Sequence, residues 1–151
     1  MNERSSRSHT ILVFEYLQTN SDGSKKTAKL NLVDLAGSER IGKTGASGKL
    51  LEEAKKINMS LTTLGRVIKA LGDGGHVPFR DSKLTQLLRE SLGGNSKTLM
   101  FVNISPADYN VQETQNSLQF GTRVKMVQND AQRNSESETV QSLRHENEML
   151  K

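Results

Sequence analysis

The chain has 151 residues and a formal net charge of +4, enough length for one domain with a buried core. It contains no cysteine, which excludes disulfide frameworks and thiolate metal sites. No apolar run approaches the roughly 20 residues that span a bilayer, and no secretory apolar region opens the chain, so the expectation is a soluble, intracellular protein with no membrane partner.

In chain order, residues 9–17 (HTILVFEYL) are rich in strand formers. Residues 19–24 (TNSDGS) supply turn chemistry and residues 27–35 make the next strand, which predicts a hairpin. After a Gly/Lys/Thr/Ser loop over 40–49, residues 50–71 place Leu51, Ala54, Ile57, Leu61, Leu64, Val67, Ile68 and Leu71 at helical spacing, with Lys55, Lys56 and Lys69 off that face. Gly72-Asp73-Gly74-Gly75 stops this helix, and Asp81 or Ser82 caps a shorter one bearing Leu84, Leu87 and Leu88. Gly93-Gly94-Asn95 breaks the chain before residues 98–104 (TLMFVNI), a continuous apolar run suited to a strand covered on both faces. Residues 111–127 form the last helix, with Leu118, Phe120 and Val124 as its buried contacts. The composition changes after Asn129-Asp130, so the chain reads as a globular part over 1–130 and a tail over 131–151, with 131–139 a polar linker. Val140, Leu143, Asn147 and Leu150 then follow 3-4-3 spacing. Two heptads fit the start of a coiled coil, and a frayed amphipathic tail equally.

The charge is unevenly placed. Between residues 40 and 97 there are eleven Lys or Arg against five acids. That section is either a face for an anionic partner or a solvated helix surface. Nucleic acid is disfavoured as the partner, because the section is poor in the aromatic residues on which single strands stack, with Phe79 alone.

The chemistry concentrates in residues 30–40 (LNLVDLAGSER). An apolar strand stops at Asp34, and Gly37 follows three residues later. Nucleotide-hydrolysing α/β folds use this arrangement: a carboxylate at a strand end holds Mg²⁺, directly or through water, and a glycine amide approaches the γ-phosphate because no Cβ blocks it. Upstream, residues 2–9 (NERSSRSH) are dense in hydroxyls and guanidinium groups. A hydroxyl can complete a Mg²⁺ shell, while Arg7 and Glu39 are complementary charges able to latch two loops around a phosphate. Taken singly, these elements also fit a strand-end turn and a surface loop. Residues 42–49 (GKTGASGK) do not make a phosphate loop on Gly48-Lys49: the pattern needs a glycine five residues before the Gly-Lys pair and a Ser or Thr after it, and those positions hold Lys43 and Leu50.

Residues 2–9, 34–39, 76–85 (HVPFRDSKLT) and 93–95, with Ile57-Asn58, Ser60-Leu61 and Leu64-Gly65, closely resemble the kinesin motor domain, in that family's order and over about residues 1–130. The resemblance implies an α/β fold, a partial P-loop-NTPase-like motor fold with a central sheet and flanking helices, and a microtubule motor driven by ATP with Mg²⁺. It implies that Ser6 coordinates Mg²⁺, Ser5 helps position the attacking water and Asn2 contacts the nucleotide side. Asp34 would reach Mg²⁺ through water, Gly37 would bond the γ-phosphate, and Glu39 would pair with Arg7 in the closed state. The long helix would lie against tubulin, with Arg40, Lys43, Lys55, Arg80 and Lys83 on the microtubule face. Met59 and Gln86 stand where many relatives carry a basic residue. Localisation would be cytoplasmic, on the microtubule cytoskeleton, with a homodimer joined through the tail if the coiled coil forms.

The family's first half, including the phosphate loop and the adenine pocket, has no counterpart in these residues. By analogy, the strand at 98–104 would be separated from that at 27–35 by one strand from that half, leaving unpaired edges. The expectation is therefore a fragment or truncated product that is inactive alone, with a non-catalytic microtubule-binding module as the alternative. KTLMFVNISP (97–106), Arg123-Val124 and Asn129-Asp130 resemble the minus-end-directed, C-terminal-motor kinesins, and residues 120–125 resemble conventional kinesin. The reading leans to the former.

Overall fold

The computed structural model describes residues 8–38, 48–132, 135–136, 140, 143, 146–147 and 149. The chain divides into two units, Ile11–Asp34 with Gln132–Lys151, and Met1–Thr10 with Leu35–Ala131.

In the first of these, β1 (Thr10–Thr19) and β2 (Lys25–Asp34) are hydrogen-bonded neighbours. The predicted turn joins them, so they run antiparallel. The Asn20 amide donates to Ser24 O (2.8 Å) and the Gly23 amide to Asn20 O (3.1 Å), with Gly23 at a φ of 78° that a side chain would resist. The Asp22 carboxylate accepts from the Ser24 amide and hydroxyl, and these bonds hold its pKa below the ordinary value. Lys29 and Glu15 pair across the strands at 2.9 Å. A third strand, β3 (Ser135–Glu136), pairs antiparallel with β2, Lys25 opposite Glu136 and Lys26 opposite Ser135. Sequence reading makes this stretch a linker; two polar residues carry no strand period, and their pairing is set by the free edge of β2. Farther on, Val140, Leu143, Glu146, Asn147 and Met149 are helical, with Val140 and Leu143 exposed, while Leu150 lies outside the described residues.

The second unit is built on α1 (Lys49–Asp73), 25 residues long. Its apolar stripe is realised as predicted: Leu64, Val67 and Ile68 are fully buried, and Lys55, Lys56 and Lys69 are exposed. Gly74, at φ 74°, ends it in the left-handed conformation, with the Gly74 and Gly75 amides both reaching Ala70 O. A 3-10 turn over Phe79–Asp81 leads to α2 (Lys83–Leu87) and α3 (Arg89–Gly93). Ser82, not Asp81, is the cap of α2, accepting from the Thr85 amide at 3.1 Å. The chain bends at Leu88, which buries Leu84, Leu88 and Leu92 and turns Leu87 out to solvent. Helix α2 packs on α1, as does α4 (Val111–Val124), which a 3-10 turn over Asp108–Asn110 precedes. Phe120 and Val124 are half-buried on α4, but Leu118 is exposed.

Residues 98–104 do not form the predicted strand. A strand needs a hydrogen-bonding neighbour, and none lies beside this run among the described residues, leaving Leu99 77% and Phe101 81% exposed. The segment is tied down at its start, where the Thr98 hydroxyl donates to Ser91 O, and at Val102, whose Cγ2 would sit 3.3 Å from a Cβ on Gly121.

Gly94 is fixed by space, since an added Cβ would fall 2.8 Å from Glu90 O and 2.9 Å from Glu90 Cα, both backbone atoms. Gly94→Ala should lower stability by about 1–3 kcal/mol, as overpacking does. The urea-unfolding midpoint of the full chain measures it, and an unchanged midpoint would contradict the close approach.

Candidate functional site

The strand exit is the centre of the site. β2 ends at Asp34, as predicted, and the carboxylate there is exposed and makes no hydrogen bond or ion pair among the described residues. Leu35 is half-buried, Ala36 is buried at 4% exposure, and Gly37 is half-buried with no partner for its amide among the described residues. A free carboxylate oxygen at a strand end suits Mg²⁺, which takes hard oxygen donors and keeps several waters. An uncommitted glycine amide suits a phosphate oxygen. Each residue, taken by itself, therefore fits the predicted cofactor. Asn2, Ser5, Ser6, Arg7 and Glu39 lie outside the described residues, as do Arg40 and Lys43.

A histidine holds the strand exit. The Ala36 amide donates to His9 Nδ1 at 3.1 Å, and His9 Nε2 lies 2.7 Å from Ser60 Oγ on α1. The Ser60 hydroxyl donates onward to Ile57 O at 2.7 Å. An amide can only donate, so Nδ1 is the unprotonated nitrogen and Nε2 carries the proton. Partial burial pushes the His9 pKa below its ordinary value, in keeping with a neutral ring. His9 is thus a positioned hydrogen-bonding residue. Sequence analysis misses Ser60 and Ala36 as its partners, since 51 and 27 residues separate them from His9 and no local spacing marks the pairs.

Three of the predicted basic positions are described, and all are exposed. Lys55 donates to Glu52 Oε1 at 2.9 Å, a solvent-facing pair of small energetic weight. The Lys55 hydrogen bond first, then its charge, lowers the Glu52 pKa. Arg80 and Lys83 flank Ser82 in a tightly bonded segment. The Thr85 side chain is fully buried, its hydroxyl donating to Phe79 O at 2.8 Å and lying 3.0 Å from Ser82 O and Ser82 Oγ. Gln86 Nε2 donates to Arg80 O at 2.9 Å, and the Arg89 guanidinium lies 5.8 Å from the centre of the Phe79 ring. His76 is exposed on the connecting loop.

An α/β fold with a long basic-faced helix and a carboxylate closing a strand is the class this architecture defines. The chain belongs to the kinesin motor domain family, whose model matches residues 1–127. The kinesin heavy chain of Syncephalastrum racemosum is 60% identical over 139 residues, which are 90% of this chain and 15% of that protein. The solved structure of a fast kinesin is 59% identical with a TM-score of 0.77, over 89% of this chain and 39% of that one. A KIF14 dimer with AMP-PNP in complex with a microtubule is 40% identical with a TM-score of 0.84, over 91% of this chain and 41% of that one. The chain thus spans well under half the length of the relatives it matches.

Because His9 has a lowered pKa in the folded state, the unfolded chain takes up its proton first. Its contribution to stability is complete above the unfolded value of about 6.5 and declines as pH falls below it, levelling off once pH passes the folded pKa. Denaturation series between neutral and mildly acidic pH should show this slope in the wild type and lack it in His9→Gln; identical slopes would refute the neutral-ring assignment.

Proposed function

We propose that this chain is the section of a microtubule-based, ATP-driven motor that senses the terminal phosphate and carries the track-binding face. The observation that carries the reading is the order of residues 34–37 in a chain of the kinesin motor domain family: a carboxylate closing β2 and, three residues on, a glycine whose amide has no partner among the described residues. In this reading Ser6 and Asp34 hold Mg²⁺, the latter through water, which neutralises phosphate charge when bound. Gly37 bonds the γ-phosphate, Ser5 helps place the attacking water, Asn2 lies on the nucleotide side, and Arg7 pairs with Glu39 as the loops close. Arg40, Lys43, Lys55, Arg80 and Lys83 face an acidic tubulin surface, which gives steering and salt-sensitive affinity. The microtubule-bound KIF14 structure, similar over 91% of this chain, supports the partner. Cytoplasmic microtubules are then the location, and Val140 and Leu143, helical and exposed, suit a dimer seam.

A second reading is a microtubule-binding module without turnover, for residues 37–44 (GSERIGKT) meet the Gly-x4-Gly-Lys-Ser/Thr spacing only by taking as their first glycine Gly37, the γ-phosphate glycine of the first reading. ATPase measurement separates the two. The 151-residue chain should show no microtubule-stimulated turnover, whereas a chain that joins it to a phosphate loop should. The minus-end, C-terminal-motor reading rests on residues 97–106, 123–124 and 129–130, and gliding on polarity-marked microtubules decides it.

In the complete motor, Gly37→Ala should lower kcat by roughly a hundredfold, the scale of losing one preorganised donor to developing charge. Wild-type turnover in that variant would defeat the phosphate-sensing role. Lys55→Glu combined with Lys83→Glu should weaken microtubule co-sedimentation by about tenfold at low salt, with the difference shrinking as salt rises. Unchanged binding would remove these lysines from the face.

A further inference from the structure

The hydrogen-bond chain through His9 has only one assignment of protons. Ala36 N–H must donate, which leaves Nδ1 as acceptor, so Nε2 donates to Ser60 Oγ, whose own proton goes to Ile57 O. Three separate backbones meet there. Residue 9 follows the hydroxyl-rich segment 2–8, residue 36 immediately precedes Gly37, and residues 57 and 60 lie in α1, two and five positions beyond Lys55.

Two features make this more than a local anchor. Ala36 is buried, so its amide has little recourse to water, and losing the imidazole would leave an unsatisfied donor beside the phosphate-facing glycine. The imidazole is also planar and rigid, with its two nitrogens fixed at opposite sides of the ring. A shift of the strand exit therefore reaches the Ser60 hydroxyl instead of being absorbed by side-chain torsions. Ser60 in turn is bonded to the carbonyl one helical turn back, so the load falls on the α1 backbone and not on a free rotamer.

We propose that His9 is a positioning residue that clamps residues 35–37 to α1 through Ser60, delivering movement of the strand exit to the helix that bears Lys55. The proposal rests on the motor reading for its consequence, and on the hydrogen-bond geometry alone for its existence. His9 acts through Ala36 and Ser60.

The test uses the full-length motor chain with His9→Phe, which keeps a flat ring and removes both nitrogens, and His9→Gln, which keeps one acceptor and one donor. Amide hydrogen exchange at Ala36 and over residues 57–63 should be about tenfold faster in His9→Phe, the scale of one lost hydrogen bond at a buried donor, and within about threefold of wild type in His9→Gln. Microtubule-stimulated kcat should fall by about tenfold in His9→Phe with the KM for ATP held within about twofold, and adding Ser60→Ala should lower it no further, since both changes break one chain. Unaltered exchange at Ala36 in His9→Phe, equal losses in the Phe and Gln variants, or additive effects with Ser60→Ala would each overturn the clamp. A wild-type chain without ATP turnover would defeat the motor reading, and the exchange measurements would still decide the clamp. Unaltered exchange with full turnover would defeat the clamp and leave the motor reading standing.

Discussion

The buried stripe Leu64–Val67–Ile68 on α1 is the constraint that the larger unit depends on. A 25-residue helix with lysines along one side stays folded only if the other side is removed from water. Leu84, Leu88 and Leu92 supply one part of the cover and α4 another, and both reach the chain's basic section by packing on that helix. The arrangement divides one element along its length: the apolar face is fixed in the core, and the charged face is exposed to solvent.

Much of this was legible because the helix period is strong. The eight apolar positions between 51 and 71 keep to one helical face, and every one is buried or half-buried. The hairpin was legible from Asn20, Asp22, Gly23 and Ser24, each of which does in the structure what turn chemistry requires. The failures have a shared cause: burial depends on what lies opposite, and a single sequence does not show that. Leu87 and Leu118 fit their local patterns, yet the Leu88 bend and the placement of α4 turn both outward. The run at 98–104 has the composition of an interior strand but no neighbouring strand among the described residues, and β3 forms from residues with no strand signal because an edge was there to accept them.

The candidate site divides in the same way. Asp34 at a strand end with Gly37 beyond it could be read directly, since the period of the strand and its terminus are local. The His9–Ser60–Ile57 chain could not, because it is made by tertiary approach of segments far apart in sequence. Lys55, Arg80 and Lys83 were legible as exposed charges, but the Glu52 pairing that shares Lys55 was not drawn from the pattern, although the two stand three residues apart on one helix.

The fully buried Thr85 has a consequence for recognition. Its hydroxyl, together with the Ser82 cap and the Gln86 amide, staples the carbonyls of residues 79, 80 and 82 into one rigid bracket. The Cα positions of Arg80 and Lys83 are thereby held at a set separation before any partner arrives. A loop already shaped in this way forfeits little conformational entropy on docking. Its two cations, exposed on long side chains, project from a backbone whose shape is set in advance.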